Sequence, residues 1–199
     1  MSVAKFRGPA EYRGLELGRN AAVADIGIHD PDCVTIPGGR AFEKIAAQLR
    51  EQGVAYTLHE HIEVGTIEQA LQSVPELTVN LLKTVAFEVA RTDRIIFVAV
   101  ACTAKVDYKR VSAALGCSRR ALRLLDNQRL EHELGFAVGG VGPFRVEPAI
   151  EVILDEGFAE DDLVKVGGGT RQHTFELGFG ALAAISDAHI ARVSRVSPA

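Results

Sequence analysis

The chain has 199 residues, of which 47% are hydrophobic, and it carries a formal net charge of −4. A chain of this length and apolar content can bury one sizeable core, so we expect one main domain. Its longest apolar runs, such as the one from Ile95 to Cys102, fall far short of the roughly 20 residues that a membrane-spanning helix needs. The first residues contain no signal-peptide apolar stretch, so we expect a cytoplasmic protein with no membrane partner.

The predicted elements begin after a region with little periodicity. Residues 1–40 end in a stretch rich in proline and glycine, and we interpret them as an N-terminal extension. The regular domain is expected to span residues 41–199. Its first elements are a helix over residues 40–53, which ends at a glycine suited to a left-handed C-terminus, and a short strand over residues 54–60.

The next segment carries the clearest local signals. Thr66 and Gln69 have the spacing of a capping box, which predicts the start of a short helix. Two strong strand patterns follow, over residues 81–90 and 94–102. The connection between them is short enough for a hairpin, so they are expected to pair antiparallel.

The second half of the chain alternates short helices and short strands. The helices are predicted over residues 106–116, 127–134 and 179–186, the second of them capped by Asp126. The strands are predicted over residues 120–125, 149–155, 163–166, 173–177 and 189–193. The fold class is therefore mixed α/β (α+β), with a mixed, largely antiparallel sheet or barrel-like core and surrounding helices. A doubly wound nucleotide-binding fold is not expected.

The charge is unevenly distributed. The segment from Lys105 to Arg129 holds seven basic residues and two acidic ones, a balance of +5 that leaves −9 for the rest of the chain. The negative total argues mildly against a protein that grips long stretches of nucleic acid. Solvated helix and strand faces are the simpler explanation of the basic segment, and contact with an RNA end is the alternative.

A glycine-rich loop between Gly135 and Phe144 is the most unusual stretch of the sequence. It lacks the Lys and Ser or Thr of a P-loop, and it follows a predicted helix, unlike a dinucleotide-binding fingerprint. A backbone with so little side-chain cover lets N–H groups approach a ligand closely. A tight connection that needs positive φ is the simpler explanation.

Lys83 lies inside an apolar strand. Period-two alternation places it on the face of Val85, Phe87 and Val89. A lysine there either extends its ammonium to solvent at a sheet edge or points into a cleft where the ammonium serves a ligand. The alternation alone leaves both possibilities open.

Other catalytic signatures are missing from the sequence. There is no Ser–His–Asp signature and no cluster of metal ligands, so we expect no metal and no cofactor. The three cysteines, Cys33, Cys102 and Cys117, are far apart and are expected to be free thiols. Asp155 is expected to fix a turn.

The order of the motifs resembles the YbaK-type aminoacyl-tRNA deacylases, free-standing relatives of the editing domain inserted in bacterial prolyl-tRNA synthetases. The resemblance covers about residues 42–195, and residues 1–40 have no recognised counterpart. The motifs that carry it are "HEHIEVGTIEQA", "LLKTVAFEV", "KVDYKRVSAALG", "GFAVGGVGPF", "VILD" and "VKVGGGTR", in that order. The Lys-Thr strand followed by the Gly-Gly-x-x-Pro loop is their most specific combination.

The resemblance implies a trans-editing hydrolase that cleaves the ester between a wrong, small amino acid (Ala, Cys or Ser) and the terminal adenosine of a tRNA, with the tRNA for proline as the expected substrate. The partners implied are the tRNA acceptor end and an aminoacyl-tRNA synthetase. Lys83 corresponds to the catalytic lysine of the family. The implied substrate-binding residues are Thr84, the loop residues Gly139, Gly140, Val141, Gly142 and Pro143, the later Gly167, Gly168 and Gly169, and His61.

Two departures from the family pattern affect the expected substrate. Relatives often carry Ser or Cys at the position of Gly142 and Ser at the position of Gly167. Two potential side-chain hydroxyls near the amino acid are therefore absent here. Loop N–H groups or a fixed ammonium can stabilise the oxyanion of ester hydrolysis, and the resemblance implies water or a ribose hydroxyl as nucleophile. A non-catalytic tRNA-binding or regulatory module and a hydrolase of another small ester are the alternatives.

Overall fold

The computed structural model describes residues 39–195. The α-helices are α1 (Gly39–Glu51), α2 (Ile67–Ser73), α3 (Tyr108–Ala114) and α4 (Phe179–Ile185), with a 3-10 turn at Pro75–Thr78 and a π-helical turn at Arg129–Glu133. The strands are β1 (Tyr56–Glu60), β2 (Leu81–Val89), β3 (Ile95–Ala101), β4 (Lys105–Val106), β5 (Leu122–Leu124), β6 (Ile150–Asp155), β7 (Leu163–Gly167), β8 (His173–Gly178), β9 (His189–Ala191) and β10 (Ser194–Arg195).

One mixed sheet organises the described residues. Its strand order is β1-β8-β7-β2-β3-β6-β9, and β5 pairs with the far end of β2. The pairs β1–β8, β7–β8, β2–β3 and β2–β5 are antiparallel, whereas β2–β7, β3–β6 and β6–β9 are parallel. The predicted mixed class, with a largely antiparallel sheet and surrounding helices, is confirmed. The strands β4 and β10 form a separate antiparallel pair.

The core lies on both faces of this sheet. On one face α1 and α4 pack over a cluster that includes Phe97, Phe144 and Phe175. On the other face α3 packs over a smaller cluster that includes Phe87 and Val98. Because β3 is buried on both sides, its sequence is a continuous apolar run, as central strands require.

Local sequence signals account for most element ends. Thr66 accepts a hydrogen bond from the N–H of Gln69, and the Gln69 side chain accepts one from Gly65, so the predicted cap of α2 is present. The helix predicted from residue 106 begins instead at Tyr108, because Asp107 caps it and residues 105–106 pair with β10.

The helix predicted over residues 127–134 is the clearest difference. Asp126 caps the segment as expected, but the Leu134 N–H bonds to the Arg129 carbonyl five residues back, which makes a π-helical turn. The predicted extension lies outside the described residues except for 39–40, which begin α1. Among residues 39–195 no helix combines the length and the hydropathy that crossing a bilayer would take.

Candidate active site

A cleft of about 240 Å³ opens where the strands flanking β2 diverge. The strand β2 pairs with β7 only through Leu81 and Leu82, and with β5 only from Phe87 onward. The stretch between these pairings faces the opening, which α2 and the 3-10 turn cover from one side. The topology of the sheet therefore exposes the middle of β2 to a ligand.

Lys83 lies at the floor of this cleft. Its Nζ donates a hydrogen bond to the carbonyl oxygen of Cys102, at 2.9 Å, and its strand neighbours Val85, Phe87 and Val89 pack together against α3. The alternation that put these four residues on one face is confirmed. An ammonium has three donors, so the Cys102 contact leaves N–H groups of Lys83 for a ligand.

Thr84 follows on the same strand and also lines the cleft. Its Oγ1 is buried and has no hydrogen-bond partner among the described residues.

The glycine-rich loop is packed backbone against backbone. A Cβ on Gly139 would lie 2.5 Å from the carbonyl oxygen of Gly65, and Gly139 itself has a φ of +93°. A Cβ on Gly140 would overlap the carbonyl oxygen of Thr170, and one on Gly142 would overlap that of Gly167. The loop needs glycine because no side chain fits between these backbones.

The predicted site residues fall into two groups. Those that line the cleft are His61, Lys83, Thr84, Gly139, Gly140, Val141 and Gly167. Those that are buried behind its surface are Gly142, Pro143, Gly168 and Gly169. In the described chain, the N–H groups of Gly139 and Val141 have no acceptor. Gly139 and Val141 thus line the cleft with N–H groups that have no acceptor in the described chain, while other loop residues hold the loop against β7.

Two histidines border the cleft. His61 Nδ1 bonds to the Ile62 carbonyl oxygen, at 2.8 Å, and its Nε2 to Thr174 Oγ1, at 3.0 Å. Because the carbonyl can only accept, the proton of neutral His61 is assigned to Nδ1, and both ring nitrogens are in use. Thr174 is then the donor to Nε2.

His173 has a different environment. Its ring stacks on Phe42 with centroids 4.3 Å apart, and its Nδ1 lies 2.5 Å from Thr170 Oγ1. Burial lowers the pKa of His173; the carboxylate of Glu60 opposes this shift and His61 adds to it. His173 is accordingly neutral at pH 7.

The charge of the cleft is one-sided. Lys83 and Arg171 line it, and no carboxylate of the described chain does. Arg171 is held by its Nε, which donates to the Val138 carbonyl, and by an ion pair with Glu63 of 3.1 Å. Within residues 39–195 no group of three or more His, Cys, Asp or Glu residues could hold a metal ion. The cleft is therefore suited to an anionic or electron-rich ligand.

The apolar wall of the cleft was not predicted from the sequence. It is formed by side chains of α2, the 3-10 turn and the segments beside them, namely Val64, Ile67, Ala70, Val74 and Leu77. The amphipathic pattern of the short helix was the signal that could have indicated it, since Ile67, Ala70 and Val74 recur at helical spacing. Such a wall can contact a small apolar group.

Comparison with known proteins places this geometry in a family. A protein of Bacillus subtilis (strain 168), the uncharacterized protein YwhH, is 30% identical over 113 residues, which are 57% of this chain and 69% of that protein. A crystal structure described as a candidate trans-editing enzyme for prolyl tRNA synthetase superposes with a TM-score of 0.65 at 21% identity, covering 78% of this chain and 97% of that one. A hypothetical protein of known crystal structure gives a TM-score of 0.67 at 20% identity, covering 76% and 99%.

These two structures share the fold. The sequence also matches the family described as "Aminoacyl-tRNA editing domain" over residues 61–184, well over half of the chain. The matched region contains β2 with its lysine, the glycine-rich loop and α2, which together build the cleft. The resemblance drawn from the motifs is confirmed, and the chain belongs to the aminoacyl-tRNA editing domain family.

Proposed function

We propose that this protein hydrolyses the ester between a small, wrongly attached amino acid and the terminal adenosine of a tRNA, acting as a separate protein. The family supports a role in editing, and the structural neighbour described as acting for prolyl tRNA synthetase supports the tRNA for proline as substrate. A synthetase that makes the mischarged tRNA is the proposed protein partner. The editing domain is proposed to span residues 41–199, after an extension of residues 1–40.

One observation carries this proposal: the anchored ammonium of Lys83 and two loop residues with unpaired backbone N–H groups in the described chain, Gly139 and Val141, line the same cleft. Attack on an ester builds negative charge on the carbonyl oxygen. The N–H groups of Gly139 and Val141 and the ammonium of Lys83 are the donors that can stabilise this charge. Because the Lys83 ammonium is already held by the Cys102 carbonyl, little free energy is needed to position it during the reaction.

The nucleophile is proposed to be water or a hydroxyl of the terminal ribose. No carboxylate of the described chain lines the cleft, and both ring nitrogens of His61 are occupied. In the described chain His173 is the remaining lining side chain that can accept a proton, and its Nδ1 already lies beside Thr170 Oγ1. Thr84, which also lines the cleft, is proposed to contact the substrate at the ribose or the amino group.

The apolar wall bears on the choice of amino acid. Among alanine, cysteine and serine, a wall of aliphatic side chains favours alanine, because a serine hydroxyl would lose its hydrogen bonds to water there. The glycine at position 142 adds no polar group, since it is buried behind the loop. We therefore propose alanine as the preferred substrate side chain.

The decisive experiment is a deacylation assay with Ala-, Cys-, Ser- and Pro-charged tRNA for proline. The wild type is expected to hydrolyse one mischarged species, alanyl first, and Lys83→Ala to lose about a hundredfold or more of that rate. Lys44→Ala is the matched control, because Lys44 lies on α1 and pairs with Glu147, away from the cleft. Binding of tRNA without hydrolysis of any species would favour the non-catalytic module, and activity on simple esters alone would favour another hydrolase.

A further inference from the structure

A group of exposed cations lies on β4, β10, α3 and the segment after α3, and its members form no ion pair within the described chain. The group, here called the basic surface, consists of Lys105, Lys109, Arg119, Arg120 and Arg195. None of them forms an ion pair with a carboxylate among residues 39–195. By contrast, the half-buried Arg110 and Arg129 of the same segment do pair, with Asp107 and with Glu88 and Glu133.

The strands β4 and β10 place two of these cations directly opposite each other. Lys105 faces Arg195 in the antiparallel register. Like charges at opposite positions destabilise a strand pair. The carboxylate nearby, Asp107, accepts hydrogen bonds from Arg110 and Lys109 as the cap of α3. The backbone hydrogen bond from Arg110 is the main reason that the pKa of Asp107 is lowered, and Arg195 adds to it. Asp107 thus offsets part of this positive charge, but neither Lys105 nor Arg195 forms an ion pair in the described chain, so the pair can bind an external anion.

An aromatic side chain fixes a third cation. The Arg119 guanidinium lies 4.3 Å from the centroid of the Tyr108 ring. Tyr108 is itself held by an edge-on contact with the buried Phe87, with centroids 5.1 Å apart. Arg119 is exposed but positioned, so it can bind a phosphate at a smaller cost in side-chain entropy.

The basic surface begins next to the floor of the cleft. Lys83 donates to the carbonyl of Cys102, and a tight turn closed by Ala104 leads from there to Lys105. Three residues span at most about 11 Å of extended chain. The Cα atom of Lys105 therefore lies within that distance of the Cα atom of Cys102, whose carbonyl holds the Lys83 ammonium.

The segment that carries α2 has the opposite charge. The segment over residues 62–82 contains Glu63, Glu68 and Glu76 and no Lys or Arg. All three carboxylates are exposed. A polyanion whose end enters the cleft is therefore repelled by the α2 segment and attracted by the basic surface.

We propose that the basic surface binds the phosphate backbone of the tRNA acceptor stem, which runs over β4 and α3 while the 3′ end occupies the cleft. The identity of this RNA rests on the proposed function. Cations on a folded surface contact A-form RNA through its phosphates, independently of sequence, and the affinity then depends on salt. The chain as a whole has a net charge of −4, but this surface is locally positive and can attract phosphates.

The test is the salt dependence of binding to an uncharged tRNA transcript, measured by fluorescence anisotropy. The double variant Lys109→Ala/Arg119→Ala is expected to lower the slope of log K against log salt by about 2, since each phosphate contact contributes about 0.9. The matched control is Arg50→Ala/Arg91→Asn, which removes two exposed cations elsewhere; asparagine suits the φ of 66° at Arg91. An unchanged slope in the first variant, or an equal loss in the control, overturns the proposal.

A second arm separates this proposal from the proposed function. On charged tRNA the double variant is expected to lose about tenfold in kcat/KM, mostly through KM, while hydrolysis of an aminoacylated 3′-terminal trinucleotide stays unchanged. If the wild type hydrolyses neither substrate, the proposed function fails, and the anisotropy slopes still decide whether the surface binds RNA. A stem that ran over α2 would instead respond most to Glu68→Gln/Glu76→Gln, and that result also contradicts the proposal.

Discussion

The backbone of Gly142 lies directly against the carbonyl oxygen of Gly167, so close that an added Cβ would overlap that oxygen. The same Cβ would also lie 2.9 Å from the ring of Phe144, which is fully buried. Neither obstacle is the flexible end of a side chain. The side chain of a serine or a cysteine at this position therefore has no room in this protein.

The first prediction follows from that contact. Gly142→Ser is expected to lower the free energy of unfolding by about 3 kcal/mol or more, because strand β7 or the loop must shift. Gly178→Ala is the control, since a Cβ there meets nothing within 4 Å. Its expected effect is within about 1 kcal/mol. Urea unfolding of both variants measures the difference, and equal stability of the two would show that the loop can relax without cost.

The second prediction concerns the helix that carries the apolar wall. Thr66→Ala removes the side chain that accepts from the Gln69 N–H, and it is expected to cost about 1 kcal/mol. Because α2 spans only seven residues, its amide protons should exchange faster, most clearly that of Ala70, which bonds to the Thr66 carbonyl. Ser73→Ala at the other end of α2 is the control. Unchanged exchange at Ala70 would contradict this role of the cap.

The third prediction is a pH dependence of stability. Burial lowers the pKa of His173 below its ordinary 6.5, so the unfolded chain binds a proton before the folded one does. Stability is therefore lost as pH falls below about 6.5 and is unaffected by this group above that value. In His173→Gln the free energy of unfolding should decline less steeply between pH 7 and pH 5. Carboxylates with lowered pKa, such as Glu151 beside Arg94, act equally in both proteins. Parallel curves for wild type and variant would exclude the effect.

Sequence patterns predict those elements that are determined by residues close together in the chain. The hairpin of β2 and β3 and the cap at Thr66 are encoded by alternation and by spacing within a few residues, and both are present. The strand β10 was not predicted, because two residues carry no pattern and their pairing with β4 joins distant segments. The sequence predicts an α-helix where the π-helical turn lies, because a shifted hydrogen bond does not change the apolar pattern.

The residues of the candidate site likewise fall into those that sequence patterns predict and those that they do not. Lys83 was placed on its face by alternation, and the motif order indicated the glycine-rich loop. The apolar wall and the bond between Thr174 and His61 are not predicted, because each joins segments that are far apart in the sequence. Long-range packing of this kind has no signature in a single sequence.

The close backbone packing of the loop also separates what can vary in this protein from what cannot. Gly139, Gly140 and Gly142 are confined by neighbouring carbonyl groups, so this part of the cleft tolerates no change of residue. The wall formed by α2 and its flanks consists of side chains, and the half-buried Ile67 can change in size without any change to the loop residues. The cleft thus has a rigid half made of backbone and a second half whose shape depends on side chains.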